Sequence, residues 1–125
     1  MELMALNKLI EPSLENVMVK SPLRYPGGKS KALKLILPIV PEFDEMREPM
    51  VGGGSVFFAL KNLFPHKRYW INDLNKDLFL LWKHCKTDIK ELTAEIKKIK
   101  NNRKDGRELF NTLTNPKTNF TDFER

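Results

Sequence analysis

Apolar residues recur at helical spacing in five stretches of this chain, separated by proline, glycine and short aromatic runs. Leu33, Ile36, Leu37 and Val40 predict a short helix over roughly Ser30–Leu37, ended by Pro38 and Pro41. Val56, Phe57, Ala59, Leu60, Leu63 and Phe64 predict a second, with Ser55 as its cap and Pro65 as its stop. Leu78, Phe79, Leu81, Trp82 and Cys85 form one stripe of a third helix that Asn75 would cap. Ile89, Leu92, Ile96 and Ile99 predict a fourth, and the chain turns near Gly106 into a last one through Leu109 and Phe110.

Two segments have strand character instead. Phe43–Val51 reads as a strand whose regular pairing should finish by Glu48, because Pro49 cannot donate to a ladder. Arg68–Asp73, rich in aromatic and β-branched residues, reads as a second. Residues 1–20 show no period and suggest an irregular arm. The order strand, glycines, helix, strand, helix is half of a doubly wound α/β sheet.

The 125 residues suffice for one domain, and 41% apolar with 30% charged residues is an ordinary globular balance. No apolar stretch approaches the ~20 residues of a membrane helix. The N-terminal MELMALNKLIEPSLEN is too acidic, and too short in apolar length, for a signal peptide, so the expected location is the cytoplasm without a membrane partner. One cysteine, Cys85, and two isolated histidines, His66 and His84, form no disulfide framework and no metal spacing. Net charge is +6, and from Lys83 to Arg107 basic residues clearly outnumber Asp88, Glu91, Glu95 and Asp105. That excess suits a polyanionic partner or a solvated helix face.

The stretch REPMVGGGSVFF, residues 47–58, puts three glycines at the end of the first strand. Ligands of α/β folds settle outside the carboxyl ends of parallel strands. Gly52, Gly53 and Gly54 would let the main chain approach a ligand and take positive φ at no Cβ cost. Asp73, nineteen residues beyond Gly54, ends the second strand where a carboxylate can grip the two hydroxyls of a ribose, although it also fits as a helix cap. A dinucleotide fingerprint would need glycine where Phe57 stands, and an ATPase phosphate loop would need it at Leu23.

Three stretches together resemble the Dam-like N6-adenine DNA methyltransferases. Tyr25-Pro26-Gly27-Gly28-Lys29 is similar to the family's aromatic residue before a G-G-K turn. Glu48–Phe57 is similar to its E-P-F-V-G-G-G-S-V-F segment, and Asn72-Asp73-Leu74-Asn75 to its N-D-x-N step. The likeness covers Ser21 to Asp77 closely, and RELFNTLTNPKT resembles the start of the family's target-recognition region. Tyr25 stands where several relatives have tryptophan, and Met50 where phenylalanine is usual.

The resemblance implies the N-terminal part of a Rossmann-like fold: a cofactor-binding core over 21–100, then a truncated target-recognition region over 101–125. It implies S-adenosylmethionine as cofactor and double-stranded DNA, with no metal, as partner. Tyr25, Gly28 and Lys29 would line the cofactor pocket, the lysine meeting its carboxylate. Glu48 would lie near its positively charged end, Gly52, Gly53, Gly54 and Ser55 would run beneath the nucleoside, and Asp73 would hold the ribose. Arg24 would precede the pocket, within reach of DNA. The family flips its target adenine from the duplex and transfers the methyl group at a D-P-P-Y motif. No Pro-Pro-aromatic sequence occurs here, so no catalytic residue is assigned and these 125 residues alone are expected to be inactive, the remainder of an enzyme completing sheet and active site. A non-catalytic module binding S-adenosylmethionine or DNA is the alternative.

Overall fold

A computed structural model describes residues 19–102 and 105–121. The arm expected over residues 1–20 lies, as far as residue 18, outside them. Two compact units follow one another along the chain, the first ending at Leu74 and the second beginning at Asn75.

In the first unit a 3-10 turn, Lys29–Ala32, leads into one α-helical turn, α1 (Leu33–Ile36), and a closing 3-10 turn, Leu37–Ile39. The helical run therefore passes Leu37, where the sequence pattern ended it. Pro38 sits in the first turn of the last 3-10 segment, where its missing N–H costs no bond. Strand β1 (Glu45–Glu48), helix α2 (Ser55–Leu63) and strand β2 (Arg68–Ile71) complete the unit.

The strands pair in parallel, with Glu45 opposite Arg68, Met46 opposite Tyr69, Arg47 opposite Trp70 and Glu48 opposite Ile71. Pairing ends at Glu48, as Pro49 dictates, and both strands are shorter than their apolar runs. This small parallel sheet with helices is compatible with the expected α/β class.

Leu33, Leu37, Val56, Ala59 and Leu60 form the buried core, with Met46, Phe43 and Tyr69 packed against it. Successive strand residues point to opposite faces, so Met46 and Tyr69 turn inward while Arg47 and Trp70 are exposed. The Tyr69 hydroxyl lies 2.8 Å from the Leu60 carbonyl and 2.9 Å from that of Phe64, satisfying the C-terminal end of α2 from β2. Aromatic edges hold the same corner: the Phe57 and Tyr69 rings are 5.6 Å apart at 79°.

The second unit is helical: α3 (Lys76–Thr87), α4 (Ile89–Asn102) and α5 (Gly106–Thr114). The Asn75 side chain accepts from the N–H groups of Asp77 and Leu78 at 2.9 and 3.3 Å, the cap its sequence position predicts. Asp105 caps α5 through the Arg107 N–H. Leu78, Leu80 and Trp82 are buried on α3, whereas α4 and α5 bury no residue. Among the described residues no helix is long and apolar enough to cross a membrane.

Candidate cofactor site

Beyond Glu48 the chain leaves the sheet and folds into a turn in which the Gly54 N–H donates to the Val51 carbonyl at 2.8 Å. That turn requires φ of +52° at Gly52 and +77° at Gly54, a region side-chain-bearing residues avoid. Gly54, not Ser55, is the residue before α2, and Ser55 is its first helical residue. No side chain caps this helix, because the left-handed position at its start selects glycine over a hydroxyl residue.

The turn borders a cavity of about 290 Å³ built wholly from the first unit. Of the nine residues singled out from sequence, Tyr25, Lys29, Glu48, Gly52, Gly53, Gly54, Ser55 and Asp73 line it. Gly28 does not: its N–H donates to the Tyr25 carbonyl at 3.0 Å, closing the turn that presents Tyr25 and Lys29. A Cβ there would sit 3.0 Å from that same oxygen. Arg24 is exposed and outside the lining.

The bareness of the glycine turn serves Tyr25 first. A Cβ on Gly52 would lie 3.1 Å from the edge of its ring, and one on Gly53 3.1 Å from its Cβ. The aromatic residue before the G-G-K turn is thus seated on the second motif, 27 residues away in the chain.

Asp73 joins the third motif to the second. Its Oδ2 accepts the Gly52 N–H at 2.8 Å, bringing a carboxylate to the mouth of the turn. Glu48 is half-buried at the end of β1. Its Oε2 is buried without a hydrogen-bond partner among the described residues. Burial pushes its pKa up, against the pull of the Lys29 charge and of a bond from the Phe57 backbone. That oxygen keeps free acceptor capacity facing a cavity its residue lines.

The apolar part of the lining was less visible in the sequence. In the sequence Val51 reads as the end of a strand, Val56 as an apolar residue of the following helix, Met50 beyond its place in the strand only as a departure from the family pattern, and Leu74 only as a member of the N-D-x-N step, yet all four line the cavity. Their signal is adjacency: each neighbours a glycine or acid of the motifs, or stands one residue from it. Leu74 and Met50 are 93% and 73% exposed and give the cavity an apolar border. Among the described residues no cluster of His, Cys, Asp or Glu could hold a metal ion.

Known proteins share much of this sequence. The chain is 38% identical over 86 residues to the DNA adenine methylase of Vibrio cholerae, covering 66% of this chain and 30% of that protein. It is 34% identical over 88 residues to the type II methyltransferase M.MjaIII of Methanocaldococcus jannaschii, with the same shares. It is 34% identical over 89 residues to the modification methylase StsI of Streptococcus sanguinis, covering 65% of this chain and 13% of that protein. The chain therefore spans about a third or less of the length of the relatives it matches. A family model for the D12 class N6 adenine-specific DNA methyltransferases matches residues 25–125, and the chain belongs to that family.

Proposed function

We propose that this chain carries the S-adenosylmethionine-binding half of a DNA methyltransferase that modifies N6 of adenine, and that its parallel strand pair belongs to a Rossmann-like, doubly wound sheet. The observation that carries the proposal is the cavity bounded by the glycine turn, Asp73 and the unsatisfied Glu48 carboxylate. S-adenosylmethionine has a ribose, a carboxylate and an ammonium group. The lining offers Asp73, Lys29 and Glu48, one complementary group for each.

In this assignment the main chain of Gly52–Gly54 lies under the nucleoside and Asp73 accepts from its ribose hydroxyls. Lys29 meets the carboxylate, Glu48 the ammonium, and Tyr25 with Met50 and Leu74 covers apolar surface. Bound there, the cofactor supplies a methyl carbon open to in-line attack by the adenine amine. The residues of this chain bind and orient, and the family's D-P-P-Y chemistry is absent from these 125 residues.

Calorimetric titration with S-adenosylmethionine and with NAD tests the assignment. Heat with S-adenosylmethionine alone is the expected result, and heat with NAD alone overturns it. A tritiated-methyl assay on adenine-containing duplex DNA should detect no transfer by the purified 125 residues.

A further inference from the structure

Five of the six net positive charges of the chain lie between Lys83 and Arg107, where nine basic residues face four acids. Within this stretch α4 sorts its charges by face. At 3.6 residues per turn, Lys90 and Lys97 fall within about 20° of each other around the axis, and Lys100 about 60° further. Glu91 and Glu95 fall on the far flank, about 100° and 140° from Lys90. Leu92, Ile96 and Ile99 occupy the arc between, and Ile89 borders it.

Glu95 on the far flank also takes its own cation: Lys98 Nζ lies 3.5 Å from its Oε2. Lys90, Lys97 and Lys100 are exposed and form no ion pair among the described residues. A helix seeking only solubility or internal ion pairs would intersperse its signs, with acids one turn from lysines. Here one flank is left uniformly positive over ten residues, about 15 Å of helix.

We propose that Lys90, Lys97 and Lys100 of α4 form a phosphate-contacting edge for duplex DNA. The proposal rests on the DNA-methyltransferase assignment for its choice of polyanion, and on the charge sorting of α4 for its place. A run of about 15 Å parallels roughly four phosphates of one strand at 3.4 Å of axial rise each. Lysine is suited to this role, since its mobile point charge meets phosphate without demanding a fixed geometry. Such contacts hold the protein to the duplex and carry no base preference.

The test measures the salt dependence of duplex binding by the full chain. Lys90→Gln/Lys97→Gln/Lys100→Gln is compared with Lys31→Gln/Lys34→Gln/Lys61→Gln, which removes the same charge elsewhere. The α4 variant should flatten the slope of log affinity against log salt by about 2.7, near 0.9 for each phosphate no longer neutralised. The control should change it by less than about one. Equal slopes in the two variants, or no duplex binding by the unmodified chain, overturns the proposal. S-adenosylmethionine titration on the same preparations separates the two ideas: the α4 variant should bind cofactor as the unmodified chain does. Failure of the unmodified chain to bind cofactor would sink the functional assignment without touching the slopes.

Discussion

The Gly52 N–H donates to Asp73 Oδ2 across 2.8 Å, so the acid expected to hold a ribose also fixes the turn expected to lie beneath it. One carboxylate thereby couples the fold of the loop to the chemistry of the cavity. The two roles are separable. Asp73→Ala loses the bond and the charge, and should cost about 1.5–3 kcal/mol of stability together with cofactor binding. Asp73→Asn keeps an acceptor for Gly52 but not the anion. It should melt close to the unmodified chain and bind S-adenosylmethionine roughly ten- to a hundredfold more weakly, as calorimetry would show.

The seat of Tyr25 predicts a graded response among the glycines. Gly27 has φ +74° but open space around its Cβ position, so Gly27→Ala should cost only the backbone strain of about 1–2 kcal/mol. Gly52→Ala adds a clash at 3.1 Å with the Tyr25 ring to its own strained φ. It should lose more stability, and Tyr25→Ala in the same chain should return the part due to the ring. Thermal melting of the two singles and the double measures that coupling.

Glu48 should cost stability for the sake of binding. Its raised pKa means that the ligand-free folded state holds its proton more tightly than the unfolded chain does. The stability this contributes is present below the unfolded value of 4.5 and is lost as pH rises through the raised folded value. Glu48→Gln removes the buried charge. It should raise the melting temperature at pH 7 by roughly 4 °C, for about 1 kcal/mol. The same variant should bind S-adenosylmethionine more weakly.

Asn75 bonds two N–H groups at the start of α3, so Asn75→Ala should destabilise by about 1 kcal/mol without altering cofactor affinity. Thermal melting and calorimetry on the same sample check both halves of that statement.

These relationships were unequally legible in the sequence. Helix positions followed from apolar spacing, and Pro49 correctly marked where β1 stops pairing, because both are local effects. The Asn75 cap was legible for the same reason. The start of α2 was not: Ser55 has the chemistry of a cap, but the turn made by Gly54 and Val51 imposes a left-handed residue there. The candidate site emerged as three motifs, and their order was plain. What joins them was hidden, since the packing of Tyr25 on Gly52 and Gly53 and the Asp73 bond to Gly52 link residues about 20 to 30 positions apart. Only the fold brings such pairs together. Gly28 shows the converse, a motif residue whose work is to shape a turn and not to line the cavity.

The glycine amides offer the most direct test, because the chain has six glycines, three of them in the turn at 52–54 and one, Gly106, far along the sequence in the second unit. With glycine alone labelled with nitrogen-15, titration with S-adenosylmethionine should move the amide signals of Gly52, Gly53 and Gly54 and leave Gly106 unchanged. Binding that leaves all three unmoved would contradict a cofactor seated between this turn and Asp73.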